Sequence, residues 1–218
     1  RPWLHIAELR RNQRIFHDVS VEEILKTLLG SYAELGSPHL EMKLSDDYPK
    51  LEYTVQYHES DADFARRLME RFGITWHWQH SDGNHTLVLT DEIGQHPDVA
   101  GGNRPYFGVE GYHMHGEEHF DGWRGGSRVT TGAVRLTEYN FKNPHATQEV
   151  EQAGQAKHLH GQTESFDWPG DYLDQGQGRG VVNRRVQAEN GQAVRYLAKG
   201  DVASLGAGWC VTPTGDRI

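Results

Sequence analysis

The apolar residues between Ser20 and Gly30 recur at helical spacing, and this pattern predicts an amphipathic helix that packs on one face. Ser20 and Glu23 have the spacing of a capping box, in which each side chain bonds the backbone N–H of the other residue. Gly30 is a natural helix end, because glycine readily adopts the left-handed conformation that follows many helices. The predicted buried positions are Val21, Ile24, Leu25, Leu28 and Leu29.

From Leu51 to His58 the pattern changes to alternation, which predicts a strand with one buried face. The apolar positions of that face are Leu51, Tyr53, Val55 and Tyr57. A second helix is predicted from Ser60 to Gly73, with Phe64, Leu68 and Phe72 on its packed face. Ser60 has the position of its N-cap, and Asp61 and Asp63 lie in the first turn, where the helix dipole favours acidic residues.

The remaining pattern predicts mostly strands. Ile74–His80 alternates, turn residues follow it, and His85–Thr90 returns around the apolar Leu87, Val88 and Leu89, which indicates a β-hairpin. After Asp91, closely spaced glycines are expected to interrupt any long element. We predict strands within Arg128–Tyr139, at Gln192–Ala198 and at Trp209–Thr212, a helix over Val181–Glu189, a flexible loop over Gln175–Gly180, and a loop or solvated helix over Ala146–Gln162. The sum is a β-rich α+β fold.

Composition excludes several classes of protein. The 218 residues carry a formal net charge of −9, which argues against a protein that binds nucleic acid through its phosphates. No run of apolar residues approaches the ~20 that span a bilayer, so a membrane-spanning segment is not expected. Arg1–His5 lacks the apolar region of a signal peptide, and folding in a reducing cytoplasm is expected. The single Cys210 allows neither an intrachain disulfide nor a multi-thiolate zinc site.

The 14 histidines raise the question of a metal site. His115, Glu118 and His119 fit the H-x-x-E-H order, in which two histidines bind zinc and a glutamate acts as base. That chemistry requires a helix to bring the two histidines to one metal, and the surrounding glycines disfavour a helix. We therefore treat the match as a chance pattern, and we predict no metal and no cofactor. The pairs His113/His115 and His158/His160 are more simply interpreted as solvated surface than as metal ligands.

No catalytic constellation is recognisable elsewhere. The G-x-S-x-G, Walker and dinucleotide patterns are all missing, and Cys210 has no context that marks it as reactive. A carbohydrate-binding module that uses Trp76, Trp78 and Trp123 is one alternative function, and a zinc-dependent hydrolase is another. Packing in a core or an interface explains the tryptophans more simply.

Several segments, in the same order along the chain, resemble one known family. The longest runs from Tyr57 to Ile74 and follows the pattern Y-x-E-S-D-x-D-F-x-x-R-L-x-E-x-x-G-I, and the family's hairpin follows it up to Asp91. Shorter matches are Arg1–Leu4, Arg14–Val21, Leu136–Pro144, Asp167–Gly170 and Ser204–Gly208. The chain thereby resembles the VgrG proteins of type VI secretion, which are related to phage late-control D proteins and phage baseplate hubs.

This resemblance implies a tandem β-barrel, phage-baseplate-hub-like fold with helical insertions. We then expect residues 1–98 to hold the end of a first barrel with a helix and hairpin insertion, and residues 99–218 a second, discontinuous barrel region. Family members continue into an OB-fold and a β-helix needle, so the chain is expected to be a fragment of the hub. His113–His119 and Gly176–Gly180 depart from the family pattern, and atypical loops are expected there.

The resemblance also implies a structural role without catalytic residues. Such a protein would form a homotrimer that caps an inner tube of hexameric rings and delivers effectors by puncturing target cells. Tip proteins and effectors would bind regions outside this chain. The protein would assemble in the bacterial cytoplasm and then be secreted or enter the target cell. The baseplate hub of a phage or phage-like contractile tail is the alternative that stays open.

Overall fold

The computed structural model describes residues 2–32, 39–108, 116–156, 159 and 161–215. Its helices are α1 (Leu4–Leu9), α2 (Val21–Gly30), α3 (Asp61–Phe72) and α4 (Gln175–Ala193), with a 3₁₀ turn at Ile93–Gln95. The strands are β1 (Arg11–Ser20), β2 (His39–Lys43), β3 (Lys50–Ser60), β4 (Thr75–Ser81), β5 (Asn84–Thr90), β6 (Asp98–Pro105), β7 (Phe120–Ser127), β8 (Ala133–Leu136), β9 (Val150–Ala153), β10 (Glu164–Asp167), β11 (Val194–Gly200) and β12 (Cys210–Thr214). The predicted β-rich α+β class is confirmed.

The chain forms two compact units. Unit 1 comprises Arg1–Gly102 and Ser204–Val211, and unit 2 comprises Asn103–Ala203 and Thr212–Ile218. The chain therefore leaves unit 1 after Gly102 and returns to it for one short segment. Strands β6 and β12 pair with each other in a two-stranded sheet.

Both helices predicted with capping signals are confirmed in unit 1. At α2 the Ser20 Oγ accepts from the Glu23 backbone N–H at 3.2 Å, and a Glu23 carboxylate oxygen accepts from the Ser20 N–H at 2.8 Å. At α3 the Ser60 Oγ accepts from the Asp63 N–H at 3.0 Å, and Gly73 ends the helix in the left-handed conformation. The predicted apolar faces of both helices are buried in one hydrophobic core.

The sheets of unit 1 are small. Strands β4 and β5 form the predicted hairpin, and β2 joins β5 as a parallel neighbour. Strands β1 and β3 form a separate antiparallel pair, which packs on α3 through Phe16 of β1. The Phe16 ring stacks on Phe64 with 5.7 Å between centroids. Helix α1, which the sequence pattern did not predict, adds Leu4 and Ala7 to the core.

The predicted burial of β3 is wrong in an informative way. Tyr53 and Tyr57 are exposed, whereas Thr54 and Gln56 are buried, although Leu51 contacts the core as expected. The alternation of the strand was predicted correctly, but its inward side is the polar one. The reason is that Gln56 faces the start of α3, where its amide donates to the Asp61 carboxylate at 2.7 Å.

Unit 2 has its core between α4 and a three-stranded sheet. The sheet has the order β10-β8-β9, with β8 parallel to β10 and antiparallel to β9. The buried residues of this core are Val134, Leu136, Val150, Tyr172, Val182 and Val186. The predicted strand within Arg128–Tyr139 is confirmed as β8. The prediction of a loop or solvated helix over Ala146–Gln162 is wrong at Val150–Ala153, because Val150 is drawn into this core as part of β9.

The flexible loop predicted over Gln175–Gly180 is also wrong, because α4 begins at Gln175. Asp174 caps this helix by accepting from the Gln177 N–H at 3.0 Å. Gly178 faces the Tyr172 ring so closely that a Cβ would lie 2.9 Å from a ring carbon. The glycine therefore serves close packing inside a helix rather than flexibility, and sequence alone does not distinguish these uses.

Glycines also fail to interrupt the strands of the middle region. Gly101 and Gly102 lie within β6, and Gly125 lies within β7, which pairs with β11 along its whole length. A Cβ at Gly125 would lie 3.2 Å from the Tyr196 ring of the neighbouring strand, so the missing side chain makes room for that ring. The strands predicted at Gln192–Ala198 and Trp209–Thr212 are confirmed, each shifted by one or two residues.

Candidate functional site

Unit 1 presents an apolar sheet face to solvent. We call Ile15, Tyr53, Val55 and Tyr57 the β1–β3 outer face, since alternation places them opposite the buried side of this sheet. Ile15, Tyr53 and Tyr57 are 62%, 60% and 67% exposed, and Ile15 lies directly across from Val55. Contiguous exposed apolar and aromatic residues of this kind mark interaction surfaces.

Unit 2 presents a second apolar surface on its two-stranded sheet, which we call the β7–β11 ribbon. Every residue of β11 is exposed, including Val194, Tyr196 and Leu197. The Tyr196 ring lies against Trp123 of β7, with 5.8 Å between centroids. Tyrosine and tryptophan together supply a large, rigid contact area at low entropic cost, which is typical of protein interfaces.

A buried carboxylate fixes the β1–β3 sheet onto the helices of unit 1. Asp61 has no exposed side-chain surface, and it accepts from the Tyr32 hydroxyl at 2.7 Å and the Gln56 amide at 2.7 Å. Arg14 of β1 donates to the same carboxylate at 3.0 Å, and Arg10 lies 3.7 Å from it. Burial and the bond to Asp61 raise the pKa of the Tyr32 hydroxyl to about 12, so Tyr32 stays a donor at physiological pH.

The role of Asp61 was missed by sequence analysis, which treated it as a residue favoured by the helix dipole. Ser60 and Asp63 do act at the helix start as expected. Asp61 instead links the start of α3 to β1, to β3 and to the segment that follows α2, through Arg14, Gln56 and Tyr32. No local signal marks this role, because Thr54 and Gln56 stand among the polar positions of an alternating strand, and the sequence does not say which residue they face.

A second carboxylate holds the loop before β3. Asp91 accepts from the backbone N–H groups of Ser45 and Asp46 at 2.7 and 2.8 Å, and from the Tyr48 hydroxyl at 3.0 Å. Burial alone raises the pKa of Asp91, but these hydrogen bonds outweigh it and hold the pKa below its ordinary value. The loop is thus anchored by an ionised group.

The histidine segment is only partly described. His115, together with His113, His158 and His160, lies outside the described residues. Glu118 accepts from the Arg104 Nε at 2.8 Å, and the His119 backbone N–H donates to Asp201 at 2.8 Å. The described residues around Glu118 and His119 are not helical, and no group of three potential ligands is found in the described part of the chain.

The tryptophans considered for carbohydrate binding have different environments within their units. Trp76 on β4 is 39% exposed, whereas Trp78 packs against the unit 1 core with its ring edge to Trp3 at 5.9 Å. Trp123 in unit 2 contacts Phe120 at 5.5 Å as well as Tyr196. Packing therefore occupies Trp78, whereas Trp123 is half-buried within the β7–β11 ribbon. None of the described helices has the length and apolar character needed to cross a membrane.

Comparisons with known proteins agree with this architecture. The family model of the phage tail baseplate hub (GPD) matches residues 1–217. The type VI secretion system spike protein VgrG1a of Pseudomonas aeruginosa is 33% identical over 209 residues, covering 95% of this chain and 32% of that protein. VgrG1c of the same organism is 32% identical over 209 residues, covering 95% of this chain and 28% of that protein. The chain thus spans about a third of the length of these curated relatives.

Solved structures show the same fold. An Escherichia coli protein described as a component of the type VI secretion system, and as similar to phage tail proteins, superimposes with a TM-score of 0.66 at 14% identity. The match covers the whole of this chain and 45% of that one. A prophage tail protein from Shewanella oneidensis gives a TM-score of 0.50 at 10% identity, covering 84% of this chain and 49% of that one. This chain belongs to the phage tail baseplate hub (GPD) family and resembles its VgrG spike proteins.

Proposed function

We propose that this chain forms part of the trimeric hub of a type VI secretion spike. In this role it caps the hexameric inner tube and moves with it when the apparatus contracts. The proposal is supported by relatives that are named as spike proteins and match 95% of this chain. The proposed role is structural, because the relatives of this chain are named as components of a spike and not as enzymes.

The observation that carries the trimer is the pair of exposed apolar surfaces. A closed ring of three copies requires head-to-tail contacts, in which one surface of each copy meets a different surface of the next. The β1–β3 outer face and the β7–β11 ribbon are two such different surfaces on one chain. We propose that neighbouring copies cover them, which explains why β3 exposes two tyrosines.

The same proposal covers the division into domains, the binding partners and the place of assembly. Residues 1–98 would belong to the first barrel with its inserted helix and hairpin, and residues 99–218 to the second. Tip proteins and effectors would bind parts of the protein beyond this chain. Assembly in the bacterial cytoplasm would precede transfer to the medium or the target cell.

A phage or phage-like contractile tail is the second candidate, because the matching family model is that of a phage tail baseplate hub. A genetic test separates the two. In a bacterium where this gene is the sole spike gene, its deletion should stop export of the inner-tube protein, and the wild-type gene should restore export.

The same strain tests the surfaces. Tyr57→Arg on the outer face should fail to restore export, whereas Asp82→Arg, in the exposed hairpin turn, should restore it. Export that continues without the gene would contradict the secretion role. Loss of infectious or tail-like particles instead would favour the phage alternative.

A further inference from the structure

A buried histidine lies beneath the segment that unit 1 receives from the later part of the chain. We call Ser204–Trp209 the strap. A Cβ at Gly208 would lie 2.3 Å from the His77 Cβ and 3.0 Å from its Nδ1, which shows how closely the strap covers this side chain. Gly208 also has a φ of +82°, a conformation that L side chains rarely adopt. The strap is therefore built to sit directly on His77.

His77 is 2% exposed, and neither of its ring nitrogens has a hydrogen-bond partner among the described residues. The neighbouring ring of His96 lies 5.2 Å away between centroids. The His96 Nδ1 donates to the Gly208 carbonyl at 2.9 Å, so this second histidine ties the strap down directly. One histidine is covered by the strap and the other holds it in place.

The surroundings of His77 favour its neutral form. Burial lowers the pKa of His77, the nearby His96 and Lys43 lower it further, and Glu41 opposes them. Lys43 and Glu41 both come from β2, and β5 places the apolar Val88 opposite His77. The strap itself has no charged residue that could balance a proton on His77.

We propose that His77, His96 and the strap form a pH-sensitive latch. At neutral pH the uncharged His77 lets the strap close over it. In a mildly acidic medium, protonation of His77 requires access to water, and the open form of the strap becomes more populated. This device is independent of the hub function proposed above, since it depends only on contacts inside unit 1.

The direction and size of the pH effect follow from the coupling between protonation of His77 and opening of the strap. The pKa of His77 is lower when the strap is closed than when it is open, so the open state binds protons more readily. The population of the open state therefore rises as the pH falls through the ordinary histidine pKa of about 6.5. If the closed state does not titrate in this range, the equilibrium constant for opening rises about tenfold between pH 7.5 and pH 5.5.

Hydrogen exchange measured by mass spectrometry on the 218-residue chain tests the latch. The reporters are the amides of Trp209 and Cys210, which donate to the carbonyls of Gly206 and Pro97. After correction for intrinsic rates, their protection should fall up to about tenfold from pH 7.5 to pH 5.5, with the amides of α2 as the internal reference. Equal protection at both pH values would overturn the proposal.

Two variants test whether the pH-dependent loss of protection is due to His77. His77→Phe should keep the strap closed at both pH values, whereas His80→Gln, an exposed histidine on the same strand, should respond like the wild type. If His77→Phe keeps the pH response, the proposal is wrong. An NMR titration of wild-type His77 gives a second test that needs no variant, and a pKa at or above about 6.5 would also overturn it.

Discussion

Replacing Asp61 by asparagine tests whether the buried carboxylate holds the β1–β3 sheet on unit 1. Both carboxylate oxygens accept from donors, Oδ1 from Gln56 and Oδ2 from Tyr32 and Arg14. An amide in this position must turn its NH₂ group toward at least one of those donors, whichever way it is oriented. Asparagine has nearly the same shape as aspartate, but it carries no charge, so Arg14 loses its ionic partner.

The expected loss is set by the cost of breaking a buried ion pair, about 3–5 kcal/mol. We expect a loss near the lower end, about 3 kcal/mol, because water reaches the arginines: the side chain of Arg14 is 21% exposed. For a protein of this size that loss lowers the Tm by roughly 6–12 °C. Urea unfolding followed by circular dichroism measures the free energy of unfolding directly.

Asp63→Asn is the matched control, because Asp63 lies in the same helical turn but its side chain is 62% exposed. Its carboxylate accepts from the Ser60 hydroxyl, which an amide oxygen can also do, so the expected cost is below about 1 kcal/mol. A result in which Asp61→Asn costs no more than Asp63→Asn would refute the assignment of Asp61 as the anchor of this sheet.

Three further predictions concern the surfaces, the acid response and metal. Tyr57→Arg should convert the associated full-length protein to monomer in light scattering while its circular dichroism spectrum stays that of the folded protein, and an unchanged mass would argue against the outer face as an interface. The anchoring of the loop by Asp91 should be lost as the pH falls through its lowered pKa, so the urea midpoints of wild type and Asp91→Asn should differ most above about pH 5, and the difference should shrink as the pH falls below the ordinary range of an aspartate, about 4. Chelation with EDTA should leave the Tm unchanged, because Glu118 and His119 are held by Arg104 and Asp201, and a fall in Tm would revive the zinc site.

The sequence predicted the elements whose signals are local. The α2 and α3 helices carry their caps and apolar faces within a dozen residues, and the β4–β5 hairpin has its turn between its strands. The longest segment of the family resemblance, Tyr57 to Asp91, covers α3 and this hairpin.

The side of β3 that is buried could not be predicted, because it depends on a partner that is distant from the strand's own pattern. The pattern of Tyr53 and Tyr57 is the same whether a core or a second protein covers them. The inner side is identified by contacts between elements, such as that of Gln56 with Asp61. Gly178 likewise indicates a loop in sequence, yet Tyr172 requires a glycine at that point of a helix. The strap over His77 joins residues more than a hundred positions apart, and no local signal marks it.

The absolute mass of the full-length gene product in solution, measured by light scattering across a dilution series, tests the central claim most directly. The account predicts a trimer that stays associated on dilution, because apolar sheet faces of the kind seen in both units would be buried between copies. A stable monomer that exposes these faces at all concentrations would contradict it.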